Sequence, residues 1–242
     1  MDRSYLSDQV VVAASREFVC ARLITFEDSD EAKLMKRIWG GRKLVNTAFA
    51  LMDPTGKKTL TRTGRSPRMV FDEAASMATK MRDVAKRYPT KTKVTAKDLG
   101  LPILEDVRIA LNVTECDSQQ LIVVRGNDKQ VAQLREQLTK LCWSGQLVGR
   151  FLYAIANDKT DWTKLEGADN AAKNGVLIVR TDTYGLTGKV IASIAAKDAK
   201  QKLEKALLTA AASHKPQAVD TRRIRRKGIR NGVKWQPELP TK

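Results

Sequence analysis

Four apolar residues in unbroken succession, Leu121-Ile122-Val123-Val124, limit the fold more than any other stretch of the chain. With Gln120 before them they read as a β-strand buried on both faces, the pattern of an inner strand in a sheet flanked by helices. Asn127-Asp128 then offers a helix N-cap, and Val131, Leu134, Leu138 and Leu141 recur at helical spacing. A second strand follows in Phe151-Leu152-Tyr153-Ala154-Ile155-Ala156. Two strands joined through one helix are most simply parallel neighbours, because a right-handed crossover returns the chain beside its start. Residues 176–179 and 189–194 flank the loop Thr183-Tyr184-Gly185-Leu186-Thr187-Gly188, which predicts an antiparallel hairpin. A helix from Lys197 to about Ala212 closes the unit, and the order βαβ, short helix, ββα predicts an α/β fold with a mixed sheet.

At 242 residues the chain has room for one large or two small domains, each able to bury a core. No apolar run approaches the length of about eighteen residues that a membrane span needs. The opening residues Met1-Asp2-Arg3-Ser4 lead into mixed polar sequence, not into a signal peptide. As written this predicts the cytoplasm; a true start upstream of Met1 would instead allow a periplasmic or exported protein. Cys20, Cys116 and Cys142 lie far apart and form no CxxC pair, which excludes a local zinc knuckle and a ready dithiol. Cys20 and Cys142 sit among apolar neighbours and read as small buried hydrophobes. The single histidine, His214, leaves no material for a His-based metal site or a Ser-His-Asp triad. The sequence therefore nominates no catalytic residue, metal or cofactor.

In the first half, residues 6–18 have helical character and residues 18–25 read as a strand. Glu27-Asp28-Ser29-Asp30 caps a helix from Glu31 to Trp39, where a helix dipole favours negative charge, so capping explains the acidic cluster better than metal binding. Residues 47–52 and 59–62 read as hairpin strands about the turn Asp53-Pro54-Thr55-Gly56, and residues 68–87 as one long amphipathic helix. Pro89 to Lys93 is a linker. Pro102 stands at a helix start, with Ile103, Val107 and Leu111 on its stripe. The implied organisation is a domain over 1–88, a linker over 89–100, a domain over 101–213 and a basic tail over 214–242.

The formal net charge of +17 favours anionic partners through long-range attraction. Much of it is concentrated in Arg222, Arg223, Arg225, Arg226, Lys227 and Arg230, the candidates for polyanion contact. With few apolar anchors, and with prolines after Trp235, this tail reads as a flexible or surface-draped extension. Aromatic residues make up only 5% and do not interleave with the basic ones, which argues against sequence-reading RNA recognition by stacking.

Residues 18–87 and 151–212 repeat one succession of strand, helix, hairpin and closing helix, and this resembles two tandem domains of the thioredoxin-like superfamily. The opening Met1-Asp2-Arg3-Ser4-Tyr5-Leu6-Ser7-Asp8-Gln9-Val10, running on to Phe18-Val19-Cys20-Ala21-Arg22, is similar to the stretch downstream of the CxxC pair in one branch of that family. Pro54-Thr55-Gly56 is similar to its hairpin turn. The resemblance implies a complete second domain and a first domain truncated at its N-terminus, whose sheet would be closed directly, by the C-terminal tail or by a second copy of the chain, with direct closure or a dimer favoured. It also implies that Gly126, Asn127, Asp128 and Lys129 occupy the redox-loop position without a cysteine, and that Asn46 and Asn174 or Gly175 stand where the family has a cis-proline. The implied function is a non-catalytic binding or scaffold module with an unknown protein partner. Two alternatives stand beside it: a thiol–disulfide oxidoreductase whose CxxC precedes Met1, and polyanion binding through the tail.

Overall fold

A computed structural model describes residues 3–41, 44–45, 47–89, 95–215 and 220–239. Of the sequence features above, Met1-Asp2, Asn46, the linker positions 90–93 and Pro240 lie outside the described residues. The chain divides into two units, Met1–Lys93 with Trp235–Lys242, and Val94–Lys234.

The first unit is helical. Its helices are α1 (Arg3–Leu6), α2 (Gln9–Ser15), α3 (Ser29–Ile38) and α4 (Ala74–Arg87). Of the helical stretch expected over 6–18, residues 9–15 form α2, which starts where the Asp8 carboxylate accepts from the Val10 N–H as an N-cap. Tyr5, Val11, Ala14, Leu51, Met77, Ala78, Met81 and Val84 form the core. The Tyr5 hydroxyl donates to the Asp72 carbonyl at 2.7 Å. That contact holds the non-helical residues before α4, where one continuous helix over 68–87 was expected. Pro67 instead opens a separate 3-10 turn, Pro67–Met69, and the Glu73–Ser76 capping box starts α4 afresh.

The strand expected over 18–25 is irregular, and Val19 is 90% exposed. β-Branched residues favour a strand only when a neighbouring strand takes up their backbone groups, and among the described residues none flanks this segment. The hairpin expected over 47–62 is reduced to two antiparallel bridges, Phe49 with Gly64 and Met52 with Thr59. The turn between them is as expected: Gly56 N–H donates to the Asp53 carbonyl at 2.9 Å, and the Asp53 carboxylate accepts from the amides of Lys57 and Lys58. Among the described residues this unit has no sheet beyond those two bridges.

In the second unit the elements are α5 (Ala96–Leu99), β1 (Ile103–Leu104), α6 (Val107–Asp117), β2 (Gln120–Arg125), α7 (Asp128–Cys142), β3 (Phe151–Ile155), β4 (Leu165–Glu166), β5 (Gly175–Thr181), β6 (Gly188–Ala195), α8 (Ala199–Ser213) and α9 (Thr221–Arg230). The six strands lie in the order β1-β3-β2-β5-β6-β4. β1, β3 and β2 run parallel, β5 pairs antiparallel with β2, β6 antiparallel with β5, and β4 parallel with β6. The helix expected from Pro102 is corrected: Ile103 and Leu104 pair with Tyr153 and Ala154, and α6 begins only after Asp106, which accepts from the Arg108 and Ile109 amides.

Alternation along the central strands explains the three layers. Leu121, Val123, Leu177 and Val179 face α6, packing against Val107, Ala110 and Leu111. Ile122, Val124, Val176 and Ile178 face α7 and α8, against Leu134, Leu138, Leu203 and Leu207. Residues 121–124 and 176–179 are all 0% exposed. Each such side chain contributes about 1.5–3 kcal/mol by leaving water, so these two strands hold the sheet between its helices.

Candidate functional site

The loop after β2 is where the family resemblance would put redox chemistry. Gly126 has a φ of 150° and leads into α7, where Asn127 Oδ1 accepts from Gln130 N–H at 3.0 Å and Gln130 Oε1 accepts from Asn127 N–H at 3.3 Å. This capping box satisfies the amides at the start of α7 with the chain's own side chains, and Asp128 adds a negative charge there. Lys129 follows in the first turn. No sulfur lies in the loop, so it offers no attacking thiolate.

The cysteines do not compensate. Cys116 is on α6 and Cys142 on α7, on opposite faces of the sheet. Cys142 is buried, and desolvation pushes its thiol up to about 11. Cys20, expected to be buried in a strand, is an exposed residue of an irregular segment. Its sulfur turns back toward the Ser15 carbonyl (3.9 Å), and desolvation raises its pKa, the opposite of what a reactive thiol needs.

Sequence reasoning missed the residue that organises the other side of this loop. Arg125, the last residue of β2, donates from Nε to the Ala172 carbonyl at 2.7 Å and from Nη2 to the Ala168 and Ala171 carbonyls at 2.8 and 2.9 Å. Its guanidinium lies over the Trp162 ring, 4.7 Å from the centroid. One side chain thus fixes residues 168–172, which lead into Asn174 and Gly175. At Gly175 φ is 156° and a Cβ would fall 2.0 Å from the Ile194 carbonyl oxygen, so only glycine fits. The only sequence signal for this arrangement is a cation ending an otherwise apolar strand.

The basic run of the tail, expected as a flexible or surface-draped extension, is helical. Asp220 accepts from the Arg222 and Arg223 amides at 3.0 and 3.1 Å, and from there the chain forms the ten-residue helix α9. Arg222, Arg223, Arg225, Arg226, Lys227 and Arg230 are all exposed. At 3.6 residues per turn, all of these but Arg225 fall within an arc of about 140°, spread over about 12 Å of axis. Half-buried Ile224 and buried Gly228 occupy the opposite side. No acidic residue lies in α9, and among the described residues none of its cations is in an ion pair. The helix is tied to the β5–β6 loop where Asn231 Nδ2 donates to the Tyr184 hydroxyl at 3.3 Å. Lys227 and Arg230 lie in its last turn, where the helix dipole favours positive charge.

Among the described residues no group of three or more His, Cys, Asp or Glu side chains is placed to hold a metal ion, and no helix is long and apolar enough to cross a membrane. Comparison of the chain with protein-family models, with curated proteins and with solved structures finds no match.

Proposed function

We propose that this chain is a non-catalytic binding module whose second unit is thioredoxin-like and whose contact with a polyanion is made through α9. The observation that carries the reading is the uncompensated charge of α9: six cations and no acid in ten residues, five of the cations on one exposed face of a helix held by its other side. Such an array attracts regularly spaced phosphates or sulfates by releasing their condensed counterions, and it needs no base-reading aromatic residue.

The thioredoxin-like reading is supported by the central place of β2, by parallel neighbours joined through α7, and by the antiparallel β5–β6 pair followed by α8. The first unit is read as a divergent copy on the succession of α3, the Pro54-Thr55-Gly56 turn between antiparallel bridges, and α4. The absence of sulfur from residues 126–129 supports a role in binding over dithiol turnover.

The test is the salt dependence of binding to duplex DNA and to heparin. Neutralising five phosphates costs about 500-fold in affinity between about 50 and about 200 mM salt. The triple variant Arg222→Gln, Arg226→Gln, Arg230→Gln removes three cations of the arc and flattens that slope by about 3 × 0.9. A slope unchanged by the triple variant refutes the assignment to α9. Measurable insulin reduction by the chain as given refutes the non-catalytic part.

A further inference from the structure

A second feature of the Val94–Lys234 unit lies away from the redox-loop position. Between α8 and the β5–β6 pair runs an open groove of about 580 Å³. Its origin is a β-bulge. The register passes from Ile178 opposite Ala192 to Val179 opposite Val190, so Ile191 is an extra residue, and both Ile191 and Ala192 pack on the α8 side of the sheet. The facing residues of α8 are Ala206 and Ala210, too small to fill the space that the bulge opens, whereas Leu203 and Leu207 are committed to the core. The result is an apolar floor of volume typical of small-molecule sites.

The rim is cationic. Arg180 from β5 and Lys202 and Lys205 from α8 border the groove. Lys202 is shared with Asp198 at 3.4 Å, but Arg180 and Lys205 have no acidic partner among the described residues. The hydroxyls of Thr209 and Ser213 also line it, yet both donate to their own helix, at 2.8 Å to the Lys205 carbonyl and 2.9 Å to the Ala210 carbonyl. Their protons being used, the donors left to recognise a ligand are the three cations and the Gln201 amide.

We propose that this groove binds a small organic anion with an apolar body, its phosphate, sulfonate or carboxylate head held by Arg180 and Lys205 and its body on Ile191, Ala192 and Ala206. Charge complementarity selects the head, and the floor selects against an inorganic ion, which would leave that apolar surface wet. This site is independent of α9 and of the polyanion reading.

The experiment is a titration of the full chain with 8-anilinonaphthalene-1-sulfonate, followed by fluorescence and by amide chemical shifts, with octyl phosphate, octanoate and inorganic phosphate as competitors. Saturable binding to one site is expected, with shifts centred on residues 191–192 and 205–210, displacement by the octyl compounds and none by inorganic phosphate. Octyl phosphate outcompeting octanoate identifies a phosphoryl head, and the reverse a carboxylate. Ala206→Leu fills the floor without changing charge, and the double variant Arg180→Gln, Lys205→Gln removes charge without changing shape. Each is expected to weaken binding by at least about tenfold, a change of about 1.4 kcal/mol, and the double variant also to reduce its salt dependence. If Ala206→Leu does not fold, the double variant carries the test. Unchanged affinity in the folded variants, shifts confined to α9 or the first unit, or equal competition by inorganic phosphate overturns the proposal.

Discussion

Replacing Arg125 with methionine tests whether one side chain holds the segment leading into β5. Its three hydrogen bonds, at 2.7, 2.8 and 2.9 Å, go to three different backbone carbonyls. Bonds from a charged donor contribute about 1.5–3 kcal/mol each when dry, but this guanidinium is half-buried, and carbonyls released to solvent recover hydration, so about 0.7 kcal/mol each is the appropriate scale. The contact with Trp162 adds about 0.5–1 kcal/mol. Methionine keeps most of the aliphatic packing, so the expected loss is about 2.5–3 kcal/mol, read from urea unfolding. Lysine keeps the charge but cannot reach three carbonyls at once, and is expected to recover less than half of that loss. Hydrogen exchange gives the local readout: the Ala172 amide, which donates to Ser193 Oγ at 2.9 Å, should lose protection in Arg125→Met while the amides of residues 121–124 keep theirs. A loss below about 1 kcal/mol with Ala172 still protected would refute the reasoning, because it would mean that residues 168–172 are held by their other contacts.

Gly175→Ala puts a Cβ 2.0 Å from a backbone oxygen in a conformation that L-residues avoid, and is expected to cost more than about 3 kcal/mol; a melting temperature within a few degrees of the parent would contradict it. Glu115 accepts from Thr181 Oγ1 at 2.9 Å, and burial raises its pKa, with Asp182 adding to the rise and His214 opposing it. A carboxyl with a raised folded-state pKa keeps its proton longer in the folded than in the unfolded state, so its contribution is most favourable at acid pH and falls as pH rises through the folded pKa. Glu115→Gln is therefore expected to gain on the parent as pH rises from the carboxyl range toward neutrality, and parallel stability curves for the two proteins would refute it. Cys142, with its thiol pushed up to about 11, is expected to react with an aromatic disulfide reagent only on unfolding; rapid modification of the native chain at mildly alkaline pH would contradict its burial.

The second unit was legible because its signals are local and agree with one another. Residues 121–124 are apolar on both faces, Asn127 caps the following helix, and small loops join residues 176–179 to 189–194, so pattern and turn chemistry lead to the same pairing. β1 was not legible. It is two residues long, and whether Ile103 and Leu104 are strand or helix is decided by Tyr153 and Ala154, far along the chain. The segment over 18–25 failed for the converse reason, since among the described residues its strand propensity has no neighbour to satisfy it. In the tail, the composition of residues 222–227 announced the charge, but helicity depended on Asp220 as a cap and on a footing for Ile224 and Gly228. The Arg125 contacts were beyond sequence reasoning altogether, because their acceptors are main-chain oxygens 43–47 residues away, which no side-chain pattern advertises.

The two ends of the strand order have a consequence for how this protein behaves at high concentration. β1 and β4, the outermost strands, are each only two residues long, and past β4 the outer strand is kinked by the extra residue at Ile191. An incoming chain that tried to copy the sheet outward would find a template good for one or two rungs and then a break in the ladder. Resistance to runaway strand addition is thereby written into the shortness of two elements, and extending either would trade that protection for a longer row of unclaimed amides.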